Sequence, residues 1–218
     1  MYYRIKRATG LDKIGDVDEQ FQDAVYPVPV DHPDFLGKVF LKEINVEKII
    51  PAYPKLKSKA KRTDLIGGTW YGNVGWLLMS GKLKSIIEKE KHKGLQFVKT
   101  HITHKGKQFD DYWFTNTFNF DMDKVDFLKS ELILYDFSDY SKKVPISFSD
   151  NILFENYVRQ LKFPQAVIID KIVFNTMNNL VIIDRVSGAI GYYVSERLKD
   201  EIEYAGCTGI DFEPIEQA

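Results

Sequence analysis

The strongest structural signal in this chain is Ser195-Glu196-Arg197-Leu198-Lys199-Asp200-Glu201-Ile202-Glu203, followed by Thr208-Gly209-Ile210-Asp211-Phe212. Ser195 suits an N-cap position, because its hydroxyl oxygen can accept a hydrogen bond from a free backbone N–H of a first helical turn. Leu198 and Ile202 recur at helical spacing, so one stripe can face a core. Gly206 suits the left-handed conformation in which many helices end. The segment therefore predicts a helix that is followed by a short strand.

A second segment, from Ser80 to Phe97, has the same pattern 115 residues earlier in the chain. Aligned without a gap, the two segments match at 7 of 18 positions. The matches are Ser80/Ser195, Leu83/Leu198, Lys84/Lys199, Ile87/Ile202, Glu88/Glu203, Gly94/Gly209 and Phe97/Phe212. Core packing does not dictate the lysine and glutamate matches, which favours a true repeat over convergence of two well-capped helices. We therefore predict an α+β fold with mixed sheets and two related strand–helix–strand units.

The composition is that of an ordinary globular protein. Its 218 residues, 44% of them hydrophobic and 28% charged, suit a single domain spanning 1–218. If the domain divides, we expect an N-terminal lobe of residues 1–107 and a C-terminal lobe of residues 108–218. The single cysteine excludes an internal disulfide framework. No signal-like apolar core follows Met1 and no long apolar run occurs, so we expect a cytoplasmic protein without a membrane partner.

The net charge of −1 conceals an uneven distribution along the chain. Residues 51–107 contain 13 Lys and Arg against 3 Asp and Glu. Residues 108–218 contain 10 Lys and Arg against 19 Asp and Glu. Such asymmetry is typical of a surface that meets a charged partner. Attraction between two lobes explains it equally well, and the sequence leaves both interpretations open.

The most basic run, residues 55–62, does not have the pattern of a nucleic-acid site. Stacking aromatics normally accompany the cations of such a site, and Tyr53 is the only aromatic residue nearby. We interpret the run as a solvated surface and do not expect nucleic-acid binding. The turn at residues 67–72 is rich in glycine, but it lacks the spacing of a phosphate loop and the Gly-Lys-Ser/Thr that completes one.

No constellation of residues predicts catalysis, a cofactor or a metal site. His101 and His104 have a spacing that suits metal binding on a helix, with Asp110 and Asp111 downstream as oxygen ligands. We predict a strand here, and residues three apart on a strand point to opposite faces. Cys207 has no histidine in the C-terminal half of the chain with which to form a nucleophile pair. We therefore predict that the protein is not an enzyme.

Several blocks of the chain resemble a bacterial family of immunity proteins from polymorphic toxin systems, long carried as a domain of unknown function. The blocks are Tyr193-Val194-Ser195-Glu196-Arg197-Leu198-Lys199, Thr208-Gly209-Ile210-Asp211-Phe212, Met79-Ser80-Gly81-Lys82-Leu83-Lys84, Gly94-Leu95-Gln96-Phe97, Tyr112-Trp113-Phe114-Thr115-Asn116, Asp121-Met122-Asp123 and Lys129-Ser130-Glu131. The resemblance covers roughly residues 75–215. Gly81 stands where the second segment has Glu196, which leaves the start of the first helix open.

The resemblance implies a protein that binds and neutralises a toxin, and it carries over no catalytic residue. We expect the contact surface on the acidic C-terminal half, and the candidate partner-binding residues are Asp110, Asp111, Tyr112, Trp113, Asp121, Asp123 and Asp126. Carboxylates can steer association with a basic toxin cleft, and aromatic side chains supply buried contact area. The alternative is a small enzyme or a nucleotide- or nucleic-acid-binding protein that uses the Gly67-Gly68 turn and the basic run at residues 55–62.

Overall fold

The computed structural model describes residues 1–39, 41–67, 76–139, 142–184 and 190–215. The helices within these ranges are α1 (Leu11–Ile14), α2 (Gly81–Glu88), α3 (Asn151–Gln160) and α4 (Glu196–Tyr204). The strands are β1 (Tyr2–Arg7), β2 (Phe21–Val25), β3 (Tyr53–Leu56), β4 (Leu65–Ile66), β5 (Leu78–Ser80), β6 (Leu95–His104), β7 (Lys107–Thr117), β8 (Glu131–Asp136), β9 (Lys143–Ile146), β10 (Gln165–Lys171), β11 (Leu180–Asp184), β12 (Ile190–Ser195) and β13 (Ile210–Ile215). The predicted α+β class is confirmed. None of the helices in the described ranges is long and apolar enough to span a membrane.

The strands form three sheets. The largest has six strands in the order β2-β3-β6-β7-β5-β4, and the others have the orders β11-β12-β1-β13 and β10-β8-β9. In the six-stranded sheet β3 and β6 run parallel, while the other neighbouring pairs run antiparallel. The sheets are therefore mixed and antiparallel, as the sequence predicts.

The chain divides into two compact units, and their boundary differs from the predicted division at residues 107 and 108. Unit 1 comprises residues 1–4, 120–198 and 213–218, and unit 2 comprises residues 5–119 and 199–212. The first four residues and the last six belong to unit 1, whereas the segments next to them, residues 5–119 and 199–212, belong to unit 2. Strands that are distant in the sequence, such as β1 and β12, pair with each other. A local sequence pattern does not reveal such pairs.

The core of unit 2 lies against one face of the six-stranded sheet. Val98 and Ile102 of β6 and Tyr112 and Phe114 of β7 point into it, each at most 2% exposed. The alternation of buried and exposed residues in β6 is the period-two pattern of a strand with one solvated face. The opposite face of these strands carries Lys99, which is exposed, and Trp113, which is half-buried.

The core of unit 1 contains aromatic side chains in edge-to-face contact. The ring of Phe174 lies 5.1 Å from that of Tyr2 and 5.1 Å from that of Tyr193, at steep angles between the ring planes. Val181 and Ile183 of β11 pack into the same cluster and are fully buried. Edge-to-face pairs of this kind add to the free energy gained by burying the rings.

Helix α2 begins with the N-cap predicted from the sequence. The Ser80 hydroxyl oxygen accepts a hydrogen bond from the Leu83 N–H at 3.3 Å. The same hydroxyl donates to the Asp64 carboxylate at 2.7 Å, and the Ser80 N–H donates to the Asp64 carbonyl at 2.8 Å. Ser80 therefore connects the first turn of α2 to the residue that precedes β4.

Helix α4 begins with the same set of contacts. The Ser195 hydroxyl oxygen accepts from the Leu198 N–H at 3.3 Å and donates to the Asn179 side-chain oxygen at 2.8 Å. The Ser195 N–H donates to the Asn179 carbonyl at 2.8 Å. Asn179 precedes β11 as Asp64 precedes β4, again 115 residues apart. The correspondence between the two segments thus begins well before the serines.

The strand pairs before the two helices also have corresponding registers. In the first segment Leu65 pairs with Met79 and Ile66 with Leu78. In the second, the pairs are Leu180 with Val194 and Val181 with Tyr193, which are the same positions shifted by 115 residues.

The matched surface residues of the two helices make matching contacts. Lys84 forms an ion pair with Glu88 at 2.7 Å and lies 5.2 Å from the ring centre of Phe97. The corresponding lysine of α4, Lys199, forms an ion pair with Glu203 at 2.8 Å and lies 6.0 Å from the ring centre of Phe212. In both segments, therefore, the matched lysine contacts the matched glutamate and the matched phenylalanine.

Candidate binding surfaces

The predicted residues Asp110 and Asp111 form a β-bulge in β7. The register of β6 against β7 shifts between Thr100 and Ile102, so both aspartates lie opposite the single residue His101. Both side chains are exposed. Bulges turn side chains out of the regular alternation and often lie beside binding sites. The two carboxylates are therefore accessible to a partner on the surface of unit 2.

Tyr112, the predicted anchor next to the bulge, is buried. It is 2% exposed, and its hydroxyl donates a hydrogen bond to the Thr63 carbonyl at 2.9 Å. Burial raises the pKa of Tyr112 to about 12, so the phenol stays neutral under ordinary conditions. Tyr112 shares the inward face of β7 with Phe114 and offers no exposed contact area. Tyr112 is therefore buried where the prediction requires an exposed contact residue.

Trp113 is half-buried on the opposite face of β7. The ammonium of Lys84 lies 4.6 Å from the centre of its ring system, and that of Lys99 lies 5.7 Å away. Lys99 stands directly opposite Trp113 on β6, and Lys84 comes from α2. Cations at such distances are attracted to the face of an aromatic ring. The neighbours of the indole ring are therefore lysines, although its neighbours in sequence include aspartates.

Asp111 lies against the first turn of α2. A Cβ atom at Gly81 would come within 2.1 Å of a carboxylate oxygen of Asp111, so glycine leaves room for that carboxylate. Helix α2 has no acidic residue of its own in its first turn, whereas α4 has Glu196. Negative charge is favourable near a helix N-terminus. The difference between Gly81 and Glu196 is thereby explained, and α2 begins at Gly81 with Ser80 as its N-cap.

The three predicted aspartates of unit 1 have different roles. Asp121 accepts a hydrogen bond from the Ile182 N–H at 2.8 Å, and its own N–H donates to the Ile182 carbonyl at 2.7 Å. Asp126 closes a turn by accepting from the Lys129 N–H at 3.2 Å. Asp123 is exposed. Asp121 therefore supports the backbone of β11, and Asp123 and Asp126 are better candidates for contact with a partner.

Two of the five basic residues in the run at residues 55–62 form ion pairs with acidic residues of unit 2. Lys57 forms an ion pair with Asp18, and Lys59 forms one with Asp16 at 2.7 Å. These pairs leave fewer lysines of the run free for phosphate groups. The other part of the alternative, the turn at residues 67–72, lies outside the described residues beyond Gly67.

A cavity of about 510 Å³ lies in unit 1. Its charged lining residues include two ion pairs, Arg4 with Glu213 at 3.7 Å and Lys171 with Glu131 at 3.9 Å. Neither Gly67 nor the basic run lines it. The cavity therefore gives no support to the alternative function predicted for those segments.

The two histidines with metal-like spacing lie in β6, as the predicted strand requires. His101 stacks on Tyr53 with a distance of 4.0 Å between the ring centres, while His104 is buried. Across the described ranges, no group of three or more His, Cys, Asp and Glu side chains is placed to hold a metal ion.

Cys207 is half-buried, and burial raises the pKa of its thiol to about 11. Because the thiolate is the reactive form, we expect iodoacetamide to alkylate folded Cys207 at pH 8 at least about tenfold more slowly than an exposed thiol of ordinary pKa. Intact mass spectrometry over time measures the rate. The urea-unfolded chain is the control and should react at the ordinary rate. Equal rates for folded and unfolded chain would contradict the expectation.

Sequence reasoning missed a surface on the outward face of β2, β3, β6 and β7, which we call the aromatic–lysine face. It comprises Val25, Tyr53, Lys55, Phe97, Lys99, His101 and Trp113. The alternation of Phe97, Lys99 and His101 is visible in the sequence and indicates one face of a strand. Their neighbours on the other strands come from distant parts of the chain, and no local signal identifies them.

The chain matches a known protein family. Residues 33–217 match the family model described as Immunity protein family (Imm11). No curated protein matches the chain. The family match covers most of the chain and includes the predicted aspartates, Trp113 and both capped helices.

Proposed function

This chain belongs to the Imm11 immunity protein family, and we propose that it binds and neutralises a cognate toxin of a bacterial polymorphic toxin system. The family match is the observation that carries the proposal. In this mechanism the chain acts in the cytoplasm, covers the active site of the toxin in a stoichiometric complex and performs no catalysis. Tight occlusion needs an exposed and complementary surface, whereas an enzyme needs convergent reactive groups.

We propose two separate contact patches for the toxin, each within one unit: Asp110, Asp111 and Trp113 in unit 2, and Asp123 and Asp126 in unit 1. The exposed bulge and the exposed aspartate of unit 1 support this choice. A toxin that attacks nucleic acids or nucleotides needs a basic cleft. Carboxylates on the immunity protein steer association with such a cleft and occupy the positions of phosphates.

Co-expression tests the function directly. The toxin to use is the variable C-terminal domain encoded by the open reading frame next to this gene, expressed from an inducible promoter. Cells that express the toxin alone should stop growing, and cells that also express this chain should continue to grow. A chain that is abundant and folded, yet gives no protection, would contradict the proposal.

Charge reversal tests the contact residues. We expect Asp110→Lys combined with Asp123→Lys to slow association with the toxin about tenfold at low salt, because like charges then oppose the encounter. High salt should reduce the difference, since screening weakens long-range attraction. Surface plasmon resonance at two salt concentrations measures the rates.

The control for the charge reversal is Asp31→Lys combined with Glu47→Lys, which makes the same change in net charge at exposed positions outside the proposed surface. Its association rate should change less than that of the test variant. Melting temperatures of both variants should remain close to the wild-type value. Unchanged toxin binding by the folded test variant would place the contact surface elsewhere.

We further propose that the two strand–helix–strand segments are copies of one ancestral unit. The corresponding serine caps, strand registers and lysine–glutamate pairs support this origin. Convergent helix capping accounts for the serines alone. It does not account for the matching roles of Asp64 and Asn179, which lie outside the helices.

A further inference from the structure

The aromatic–lysine face carries apolar and aromatic groups that are partly exposed. Val25 at the edge of this sheet is 62% exposed, and the rings of Tyr53, Phe97, His101 and Trp113 are half-buried. Partly exposed aromatic side chains that lie close together are typical of protein interaction sites.

The cations of this face are incompletely neutralised. Lys55 and Lys99 are exposed, and neither forms an ion pair with a residue in the described ranges. Lys84, which borders the face at Trp113, already pairs with Glu88 at 2.7 Å. The remaining positive charge therefore comes from two lysines on neighbouring strands.

The acidic residue opposite Lys55 does not form an ion pair with it. Asp23 stands opposite Lys55 in the pairing of β2 with β3. Its carboxylate instead accepts a hydrogen bond from the Ala24 N–H at 2.8 Å, and no ion pair joins it to Lys55 within the described residues. A carboxylate of a bound partner would supply an ion pair for Lys55 or Lys99.

We propose that the aromatic–lysine face receives an acidic segment of the toxin, with carboxylates of that segment paired to Lys55 and Lys99 and its apolar side chains packed on Trp113 and Tyr53. This inference rests on the proposed function and adds the chemistry of the partner surface. The face adjoins the bulge of Asp110 and Asp111 within unit 2. Cations and carboxylates on neighbouring positions fix the orientation of a partner that carries the opposite pattern.

The test uses two simple probes of the same charge, a deca-glutamate peptide and an oligothymidylate. Each is titrated into the isotopically labelled full chain while amide and indole NMR signals are recorded. The peptide should shift the signals of Val25, Lys55, Lys99 and Trp113 more than those of the rest of unit 2. Shifts spread equally over all exposed lysines would overturn the proposal, and so would a response to the oligothymidylate alone, which would identify a nucleic-acid surface.

Variants complete the test. Lys55→Glu combined with Lys99→Glu should weaken peptide binding about tenfold or more. Lys48→Glu combined with Lys91→Glu is the matched control, and it should change peptide binding less.

The same two variants are then assayed with the toxin. If the wild-type chain binds the toxin and the Lys55/Lys99 variant binds it equally well, the inference is wrong and the proposed function stands. If the wild-type chain fails to bind the toxin, the proposed function is wrong, and the peptide titration still decides the chemistry of the face.

Discussion

Replacing Leu198 by alanine is expected to lower the free energy of unfolding by about 2–5 kcal/mol, because the change leaves a cavity and removes buried apolar contacts. Leu198 has no exposed surface, and its backbone N–H donates to the N-cap Ser195. The corresponding residue of α2, Leu83, is 1% exposed, and Leu83→Ala should have an effect in the same range. Urea unfolding followed by circular dichroism measures both variants.

Leu128→Ala is the control for these core substitutions. Leu128 is 75% exposed, so its replacement should change the free energy of unfolding by no more than about 0.5 kcal/mol. An effect of Leu198→Ala as small as that of Leu128→Ala would show that α4 does not pack on a core, and it would contradict the described fold.

Removing the side chain of Asp64 is expected to lower the free energy of unfolding by about 1–3 kcal/mol, the usual range for leaving a buried donor unsatisfied. The carboxylate accepts hydrogen bonds from the Ser80 hydroxyl at 2.7 Å and from the Thr208 N–H at 2.9 Å. It also lies 3.1 Å from the Lys82 ammonium. Asp64→Ala removes these interactions together with the hydrogen bond from the Thr208 hydroxyl at 3.1 Å, and urea unfolding measures the loss.

Asp64→Asn is the matched conservative variant, because the second segment has an asparagine at the corresponding position. Asn179 accepts hydrogen bonds there from Ser195 and from Arg197. Asparagine at position 64 should therefore retain part of the stability that alanine loses. If the two variants of Asp64 are equally unstable, the charge of the carboxylate matters more than its hydrogen bonds.

The stability provided by Asp64 should depend on pH. Burial alone would raise the pKa of Asp64, but hydrogen bonds from Ser80, Thr208 and Lys82 and the charge of Lys82 outweigh burial and hold it below the ordinary value of 3.8. A carboxyl group with a lowered pKa contributes stability above its unfolded pKa and loses it as the pH falls through the folded pKa. The difference between wild type and Asp64→Asn should therefore shrink below about pH 4. A difference that stays constant down to acid unfolding would contradict this origin.

Local patterns predicted the two capped helices well. Ser80 and Ser195, followed at the third position by a leucine, reveal both helix starts, because capping and the first buried position depend on residues close in sequence. Strand-like segments in the sequence likewise predicted β6 and β11. These features depend on backbone geometry over a few residues, and distant parts of the chain do not change them.

The placement of the binding residues could not be predicted in the same way. Asp110 and Asp111 lie opposite one residue of the neighbouring strand, and this bulge keeps Phe109 and Tyr112 directed toward the core although they are three residues apart. The surroundings of Trp113 come from Lys84 and Lys99, which lie elsewhere in the sequence. Strand register and helix packing determine both results, and neither is encoded in a local motif.

Titration of the purified toxin with this chain tests the central claim of stoichiometric, non-catalytic neutralisation. The toxin is held at a concentration well above the dissociation constant, and its residual activity is measured as the chain is added. Activity should fall linearly and reach its minimum at one chain per toxin, and separating the two proteins under denaturing conditions should recover an unmodified toxin. Complete inactivation by a small fraction of one equivalent, or undiminished activity at an excess of folded chain, would contradict the account.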